Sequence, residues 1–392
     1  MLVEAPSVSM FDSFDPRRPI GIIPSPGARG LGQKINDQLV RMIHDKYPET
    51  KNDPRTRKSL LIEANCPRFS TGDGKCVISQ SVRGYDVYLI SDVGNYGCTY
   101  QLFNNPTPIP MSPDEHFADL KRMISAIGGM ASHITVIMPL LYGGRQHKRT
   151  GRESLDCAMA LQELERMGVS NIITFDAHDP RVQNAVPLMG FDNVMPTYQV
   201  LKAIIRNHTD LKVDKEHLMI VSPDEGAMDR NMYYASVMGL DLGMFYKRRD
   251  YSTMLNGRHP IVSHEYLGNS VEGKDIFVAD DIISTGDSML RLARDLKERG
   301  CRRIFMFATY ALFTEGLDAF NKGYEEGLFD TVLSTNLTYQ PPELLEAPWY
   351  TEVDATKYIA YFIFAMHQNQ PVSTLLDPHE KISKLLGANG NQ

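Results

Sequence analysis

Residues 276–288 read Ile-Phe-Val-Ala-Asp-Asp-Ile-Ile-Ser-Thr-Gly-Asp-Ser: an apolar run, two adjacent acids, then a Ser-Thr-Gly loop that opens into helical spacing. Such a loop can aim backbone N–H groups and hydroxyls at a phosphate, and the field at the helix N-terminus adds attraction. Asp280 and Asp281, read as the end of the strand, suit the vicinal hydroxyls of a sugar, because each carboxylate accepts hydrogen bonds. Asp280, Asp281, Ser284, Thr285, Gly286, Asp287 and Ser288 together describe a pocket for a sugar phosphate. A capped turn that binds nothing explains Ser-Thr-Gly taken alone; the whole string points to a ligand.

Four further clusters follow apolar runs. Residues 143–152 (GGRQHKRTGR) set Arg145, Lys148, Arg149 and Arg152 after two glycines, a pattern suited to bidentate contact with phosphate oxygens, although a solvated basic loop has the same composition. Asp176-Ala177-His178-Asp179 and Ser222-Pro223-Asp224-Glu225-Gly226 each place acids at an expected strand end. A histidine beside acids is commonly structural, yet Mg²⁺ carried by a nucleotide needs only one or two protein ligands. Lys247-Arg248-Arg249 ends the run 242–246 and precedes the polar segment 250–259. Cations there can stabilise charge spread over a transferring phosphoryl group.

The elements that must hold these clusters show in the alternation of the chain. Apolar, β-branched runs at 134–142, 171–176, 218–222, 275–279, 303–309 and 331–335 alternate with helically spaced segments such as 155–167 and 288–299. Strand, helix, strand in repetition predicts an α/β fold of mainly parallel sheets flanked by helices, with ligands at the C-terminal rim of the strands. The length of 392 residues suggests two domains, with a boundary near Pro196 and a closing helix over 353–367. Residues 1–20, 46–59 and the Gly-, Asn- and Pro-rich stretch 94–113 read as surface additions.

With 41 Lys plus Arg against 48 Asp plus Glu the net charge is −7, which disfavours bulk nucleic-acid binding, since that affinity comes from neutralised phosphates. The longest apolar run, 358–366, is half the length a bilayer requires, so no membrane span is expected. The N-terminus has an early acid and no apolar core of a secretory signal. Five cysteines (Cys66, Cys76, Cys98, Cys157, Cys301), never spaced C-x-x-C, argue against a disulfide framework or structural zinc and fit a reducing cytoplasm. No G-x-x-x-x-G-K-[ST] is present, which disfavours an ordinary P-loop kinase.

The string 279–288 resembles the phosphoribosyl diphosphate signature of the type I phosphoribosyltransferase fold, and the likeness extends further. From Arg68 to about Leu376 the chain resembles the ribose-phosphate diphosphokinases, with RFSTGD, SVRGYDVYLI, GGRQHKRTGR, ITFDAHDPRVQ, VSPDEGA, FYKRRD and ADDIISTGDS in the family's order. The resemblance implies two similar phosphoribosyltransferase-type domains: 1–195, holding ATP and subunit contacts, and 196–352, holding ribose 5-phosphate. Residues 353–392 would form a closing helix and tail packed back on the first.

It further implies transfer of the β,γ-diphosphoryl group of MgATP to ribose 5-phosphate, giving 5-phosphoribosyl 1-diphosphate and AMP. On this reading Lys247 and Arg249 stabilise the transition state. Phe69, Thr71, Asp73, Arg145, Gln146 and His178 hold ATP, and His178 and Asp224 contact Mg²⁺. Arg83, Arg152, Asp192, Asn193 and Ser373 match a regulatory phosphate and ADP site. Phe69, Thr71 and Asp73 match contacts made across a subunit boundary, which implies a homo-oligomer, a dimer or a hexamer built from dimers. This chain departs from the family pattern at Thr71, Asp73, His147, Pro180, Ser284 and Asp287. Two other functions share the fold: a catalytically silent regulatory or scaffolding subunit, disfavoured by retention of His178, Asp224, Lys247 and Arg249, and a phosphoribosyltransferase that consumes the diphosphate, which leaves the length and GGRQHK unexplained.

Overall fold

The computed structural model describes residues 18–53, 59–103, 105–249 and 261–389, with side chains for all of these except 247–249, 261–264 and 388–389. The chain forms two compact units. The extension 1–20 therefore falls almost wholly outside the described residues, as do 54–58 of the segment 46–59.

The first unit is built on five parallel strands: β1 (Ile20–Pro24), β4 (Asp86–Ile90), β7 (His133–Ile137), β8 (Asn171–Phe175) and β9 (Gly190–Val194), side by side in that order. Two small antiparallel ribbons interrupt the series, β2 (Ala64–Asn65) with β3 (Val77–Ile78) and β5 (Thr99–Tyr100) with β6 (Ile109–Pro110). Strands such as β8 are buried throughout, as parallel sheets covered on both faces require. The apolar run 134–142 yields a shorter strand than expected: β7 stops at Ile137, and Pro139 has no N–H with which to extend the ladder.

Helices α1 (Arg29–Lys46), α2 (Pro113–Ile127) and α3 (Asp156–Arg166) flank this sheet. Helix α2 is defined locally: Ser112 and Glu115 form a reciprocal capping box, proline opens the first turn, and Gly128 closes it at φ +62°. Its apolar side chains Phe117, Leu120 and Met123 join Leu161 and Leu164 of α3 over Leu89, Val136 and Ile172 of the sheet. The addition 94–113 is thus the β5–β6 ribbon together with the start of α2.

The second unit contains seven strands. Its elements in chain order are α4 (Thr197–Asn207), β10 (Leu218–Ser222), α5 (Met228–Met238), β11 (Leu242–Arg249), β12 (Ile261–Leu267), β13 (Asp275–Ile283), α6 (Asp287–Glu298), β14 (Ile304–Ala311), α7 (Asp318–Glu325), β15 (Thr331–Thr335), α8 (Pro342–Leu345) and β16 (Tyr350–Val353). The sheet order is β12-β11-β10-β13-β14-β15-β16, parallel except for the β11–β12 pair. The two-residue period of the strands is visible in the packing. Met219, Val221, Ile276, Val278, Ile304 and Met306 face α6 and Trp349, while Leu218, Ile220, Phe277, Ala279, Phe305 and Phe307 face α4 and α5.

Two strands outrun their apolar cores. β11 continues past Tyr246 to Arg249 because β12 pairs with it, and β13 continues through both acids to Ile283, paired with Ala311 of β14. The expected helix from Val353 begins later: Val353 is the last residue of β16, and α9 is Thr356–His367. Asn336–Tyr339 and the segment Ala355–Asp377, with α9 and α10 (Ser373–Leu376), belong to the first unit, whereas α11 (His379–Asn389) belongs to the second.

Helix α9 packs on α1, where Phe364 stacks with Tyr47 at 6.3 Å. His367, at its end, reaches Asp86 of β4 at 2.8 Å, and the same carboxylate meets His133 Nδ1 at 3.0 Å and Arg18 Nη2 at 2.7 Å. Burial opposes a charged Asp86, but the hydrogen bonds from His367 and His133 and the charge of Arg18 outweigh it and hold the carboxyl below its ordinary range. Among the described residues no helix is long and apolar enough to cross a membrane.

Candidate active site

The register of the second sheet creates a notch at its C-terminal rim. β10 ends at Ser222, opposite Met244 of β11, and is joined to β13 only as far as Ile220 opposite Phe277. Its neighbours run on, β11 to Arg249 and β13 to Ile283. A short strand between two long ones leaves a gap over Ser222, with the Lys247–Arg249 backbone on one flank and Asp280–Ile283 on the other. The side chains of Lys247 and Arg249 lie outside the described residues, so the structure places only their backbone.

The loop after β10 floors this notch. Ser222 Oγ donates to the Asp224 carbonyl at 2.8 Å, and Asp224 Oδ1 accepts from Gly226 N at 3.0 Å and Ala227 N at 3.2 Å, which fixes the carboxylate over the rim. Helix α5 then clips the loop to β13. Fully buried Asn231 donates to the Ala279 carbonyl at 2.7 Å and accepts from Ala279 N at 3.0 Å, and Arg230 Nη1 lies 3.5 Å from Asp280. Sequence reasoning missed Arg230 and Asn231. The available signal was an amide residue at a position where a helix facing the sheet would otherwise carry an apolar one.

Asp280 and Asp281 lie inside β13 and not at its end, as the sequence suggested; they stand at the rim because β10 stops short of them. Asp280 Oδ1 accepts from Asp281 N at 2.9 Å. Desolvation, and after it the charge of Asp281, push the Asp280 carboxyl well above the ordinary carboxylate range, with Arg230 opposing. Beyond Ile283 the chain turns through half-buried Ser284 and Thr285 to Gly286, the N-cap of α6 at φ +89°, where a Cβ would collide with the Phe320 ring. Asp287 and Ser288 form the exposed first turn of α6. The rim thus offers hydroxyls, a helix N-terminus and a desolvated acid pair within one strand-turn-helix.

In the first unit, the loops after the adjacent strands β7 and β8 meet. His147 Nε2 is 3.4 Å from Asp179 Oδ2, and the His147 and His178 rings are 5.2 Å apart. His147 Nδ1 is buried without a partner, while Arg145, Gln146, Lys148, Arg149 and His178 are exposed. Asp179 also accepts from Arg181 Nη2 at 2.6 Å, which with the Arg181 backbone N–H lowers its carboxyl to about 2. Asp179, the link between the two loops, was not singled out as a contact from sequence. Asp176, before it, takes φ +43°, a conformation uncommon without glycine.

Phe69, Thr71 and Asp73 come together at the tip of the hairpin that β2 and β3 begin: Phe69 N donates to the Asp73 carbonyl at 2.7 Å, and Thr71 Oγ1 to Asp73 Oδ2 at 2.8 Å. Phe69 is 53% exposed, with Lys75 Nζ 5.8 Å from its ring centroid. Arg68 anchors the hairpin through a bidentate pair with Asp119 of α2, at 2.6 and 2.9 Å. The 94–113 addition buttresses it, with Tyr100 under the Arg68 guanidinium at 5.7 Å and Phe103 N donating to the Ser70 carbonyl at 2.9 Å.

The expected regulatory residues are dispersed over several elements. Arg83 is exposed in the turn before β4, Arg152 is exposed before α3, and Ser373 is exposed at the start of α10. Asp192 and Asn193 sit on edge strand β9, where Asp192 Oδ2 accepts from Asn171 at 2.9 Å and Asn193 Oδ1 accepts from Ala177 N at 2.9 Å. Asn193 thereby braces the loop that carries His178.

Comparison with known proteins matches this layout. Residues 21–168 match the model of the N-terminal domain of ribose phosphate pyrophosphokinase, and residues 191–319 match the phosphoribosyl transferase domain. The chain is 27% identical over 327 residues to a ribose-phosphate pyrophosphokinase of Vibrio cholerae, covering 81% of this chain and 92% of that one. It is 29% identical over 289 residues to one of Pasteurella multocida, covering 72% and 81%. A crystal structure of phosphoribosylpyrophosphate synthetase from Mycobacterium smegmatis superposes with a TM-score of 0.70 at 19% identity, covering 90% of this chain and all of that one.

Proposed function

The chain belongs to the ribose-phosphate pyrophosphokinase family, and we propose that it transfers the β,γ-diphosphoryl group of MgATP to the anomeric hydroxyl of ribose 5-phosphate. The observation that carries this reading is the notch over Ser222, which sets a sugar-phosphate cradle on one long strand opposite a cationic strand end on the other. The hydroxyl oxygen attacks the β-phosphorus as the bond from that phosphorus to the α-phosphate oxygen breaks. AMP leaves, 5-phosphoribosyl 1-diphosphate remains, and the hydroxyl proton passes to solvent.

In this reading the 5-phosphate sits against Ser284, Thr285, Ser288 and the α6 N-terminus, with Gly286 allowing close approach of the backbone. Asp280 and Asp281 orient the ribose hydroxyls. Lys247 and Arg249 meet the charge that develops on the diphosphoryl group, so catalysis rests on alignment and electrostatics. The nucleotide lies with its base at Phe69, Thr71 and Asp73 and its phosphates near Arg145, Gln146 and His178. Asp224, an oxygen donor fixed by two backbone N–H groups, fits the hard ligand that Mg²⁺ selects, and Mg²⁺ when bound neutralises polyphosphate charge. His178 offers nitrogen and fits the phosphates better. The assembly is a homo-oligomer in which exposed Phe69 serves a neighbouring copy.

The test is direct: the purified chain, ATP, ribose 5-phosphate and Mg²⁺ yield AMP and the 1-diphosphate in equal amounts, followed by phosphorus NMR. Folded protein that makes neither product, with and without inorganic phosphate, would overturn the assignment.

A further inference from the structure

Two cysteines face each other across the stem of the hairpin that presents Phe69, Thr71 and Asp73. β2 and β3 pair Ala64 with Ile78 and Asn65 with Val77, and the same register continues in both directions. Ser79 N donates to the Glu63 carbonyl at 3.0 Å, Lys75 N to Pro67 at 3.2 Å, and Arg68 bridges Gly74. Cys66 therefore stands opposite Cys76, between the hydrogen-bonded pairs 65/77 and 67/75. It occupies the non-hydrogen-bonded kind of site, where facing Cα atoms are about 4.5 Å apart and side chains approach most closely. That separation is the short end of the roughly 4.4–6.8 Å that a disulfide spans.

Both thiols are free and half-buried, packed at the edge of the first unit's core. They are also unequal. A hydrogen bond from Cys66, with Arg122 nearby, holds the Cys76 thiol below its ordinary value despite burial, whereas the same hydrogen bond and burial push Cys66 up. Whichever sulfur ionises is the nucleophile, and the other is the resolving group.

We propose that Cys66 and Cys76 form a reversible cross-strand disulfide that tightens nucleotide binding by the hairpin tip. The effect on the nucleotide rests on the reading of Phe69, Thr71 and Asp73 given above. The Cys76 thiolate attacks a small-molecule disulfide such as oxidised glutathione, whose S–S bond breaks to release one thiolate. Cys66, on losing its proton, attacks the Cys76 sulfur and expels the second thiolate. Two cysteine thiols are oxidised to one disulfide, the reagent is reduced to two thiols, and the cysteine protons end on them. Exchange with an external thiol reverses the bond, which makes it a switch and not a staple. The link to the nucleotide is mechanical. Arg68 on Asp119 already fixes the first strand, and the disulfide locks the strand bearing Asp73 to it, so less ordering remains to be done on binding.

Trypsin cuts after Lys58, Arg68, Lys75 and Arg83, so only a disulfide joins peptide 59–68 to peptide 76–83. Full-length chain treated with oxidised glutathione should yield that linked peptide, lost again on dithiothreitol, and the Kd of a non-hydrolysable ATP analogue should fall about threefold, roughly 0.6 kcal/mol. Cys66→Ser, Cys66→Ala and Cys76→Ser should each abolish the linked peptide and the shift, while Cys98→Ser leaves both. Absence of the linked peptide, its replacement by one containing Cys98, or an unchanged or weakened Kd in linked protein overturns the proposal. If the reduced chain makes no AMP, the proposed activity fails on its own, while the peptide map still reports on the cysteine pair.

Discussion

A carboxyl that is desolvated and set beside a second carboxyl keeps its proton to a higher pH, and Asp280 is such a group. Protonated, it is a poorer acceptor for sugar hydroxyls. We expect kcat/KM for ribose 5-phosphate to rise with pH through the shifted value, and Asp281→Asn, which removes the neighbouring charge, to move that rise to lower pH. An unmoved profile would show that Asp281 does not act on Asp280. The same shift costs stability. The folded state holds the proton more tightly than the unfolded one, so this group's contribution declines as pH rises from the unfolded value of 3.8 through the raised one. Asp280→Asn should therefore raise Tm at pH 8, by about 2 °C, while lowering kcat/KM about a hundredfold. Calorimetry and a steady-state assay read the two effects separately. At this scale the run from apolar strand through two acids to a Gly-capped helix start was legible, because an apolar run, a Ser-Thr-Gly turn and helical spacing follow one another in the sequence. Arg230, Asn231 and Asp179 were not, because their value comes from strands remote in sequence that they join.

The elements repeat the lesson with other causes. The strands 171–175, 218–222 and 331–335 were read within a residue of their ends, since each is a short run dominated by apolar and β-branched residues and bounded by polar turns. The extra length of β11 and β13 was not, because pairing with β12 and β14, and not composition, carries those strands past their apolar cores. The hairpin 63–79 escaped notice because its strands are short and mostly polar, held by Arg68 and Asp119 more than by an apolar face. The clasp of β4 by α9 was equally silent in the sequence. Asp86→Ala would strand His133, His367 and Arg18 and should cost about 3 kcal/mol by urea denaturation. Because the Asp86 carboxyl is depressed, its contribution is complete above the unfolded value of 3.8 and is lost as pH falls through the folded one. The variant should lack that acid-dependent part of the unfolding profile, and equal losses at pH 7 and pH 3 would count against the clasp.

For the whole molecule, two α/β units in one chain were expected from the alternation of runs, and a closing helix and tail over 353–392 on the first unit from the resemblance; α9 and α10 belong to the first unit and α11 to the second. If Phe69 serves a neighbouring copy, Phe69→Ala and Asp280→Asn, each strongly impaired alone, should regain part of the activity when co-expressed, because some assemblies then hold one intact tip opposite one intact cradle. No regain would mean that each tip works within its own chain. The route of the chain has a further consequence. Residues 18–195 gain α9, and with it the His367 partner of Asp86, only after the intervening unit has been made. On the ribosome, the half that is translated first is finished last: until residue 367 emerges, the surface of α1 that later receives α9 stays uncovered, an interval in which a chaperone has something to hold.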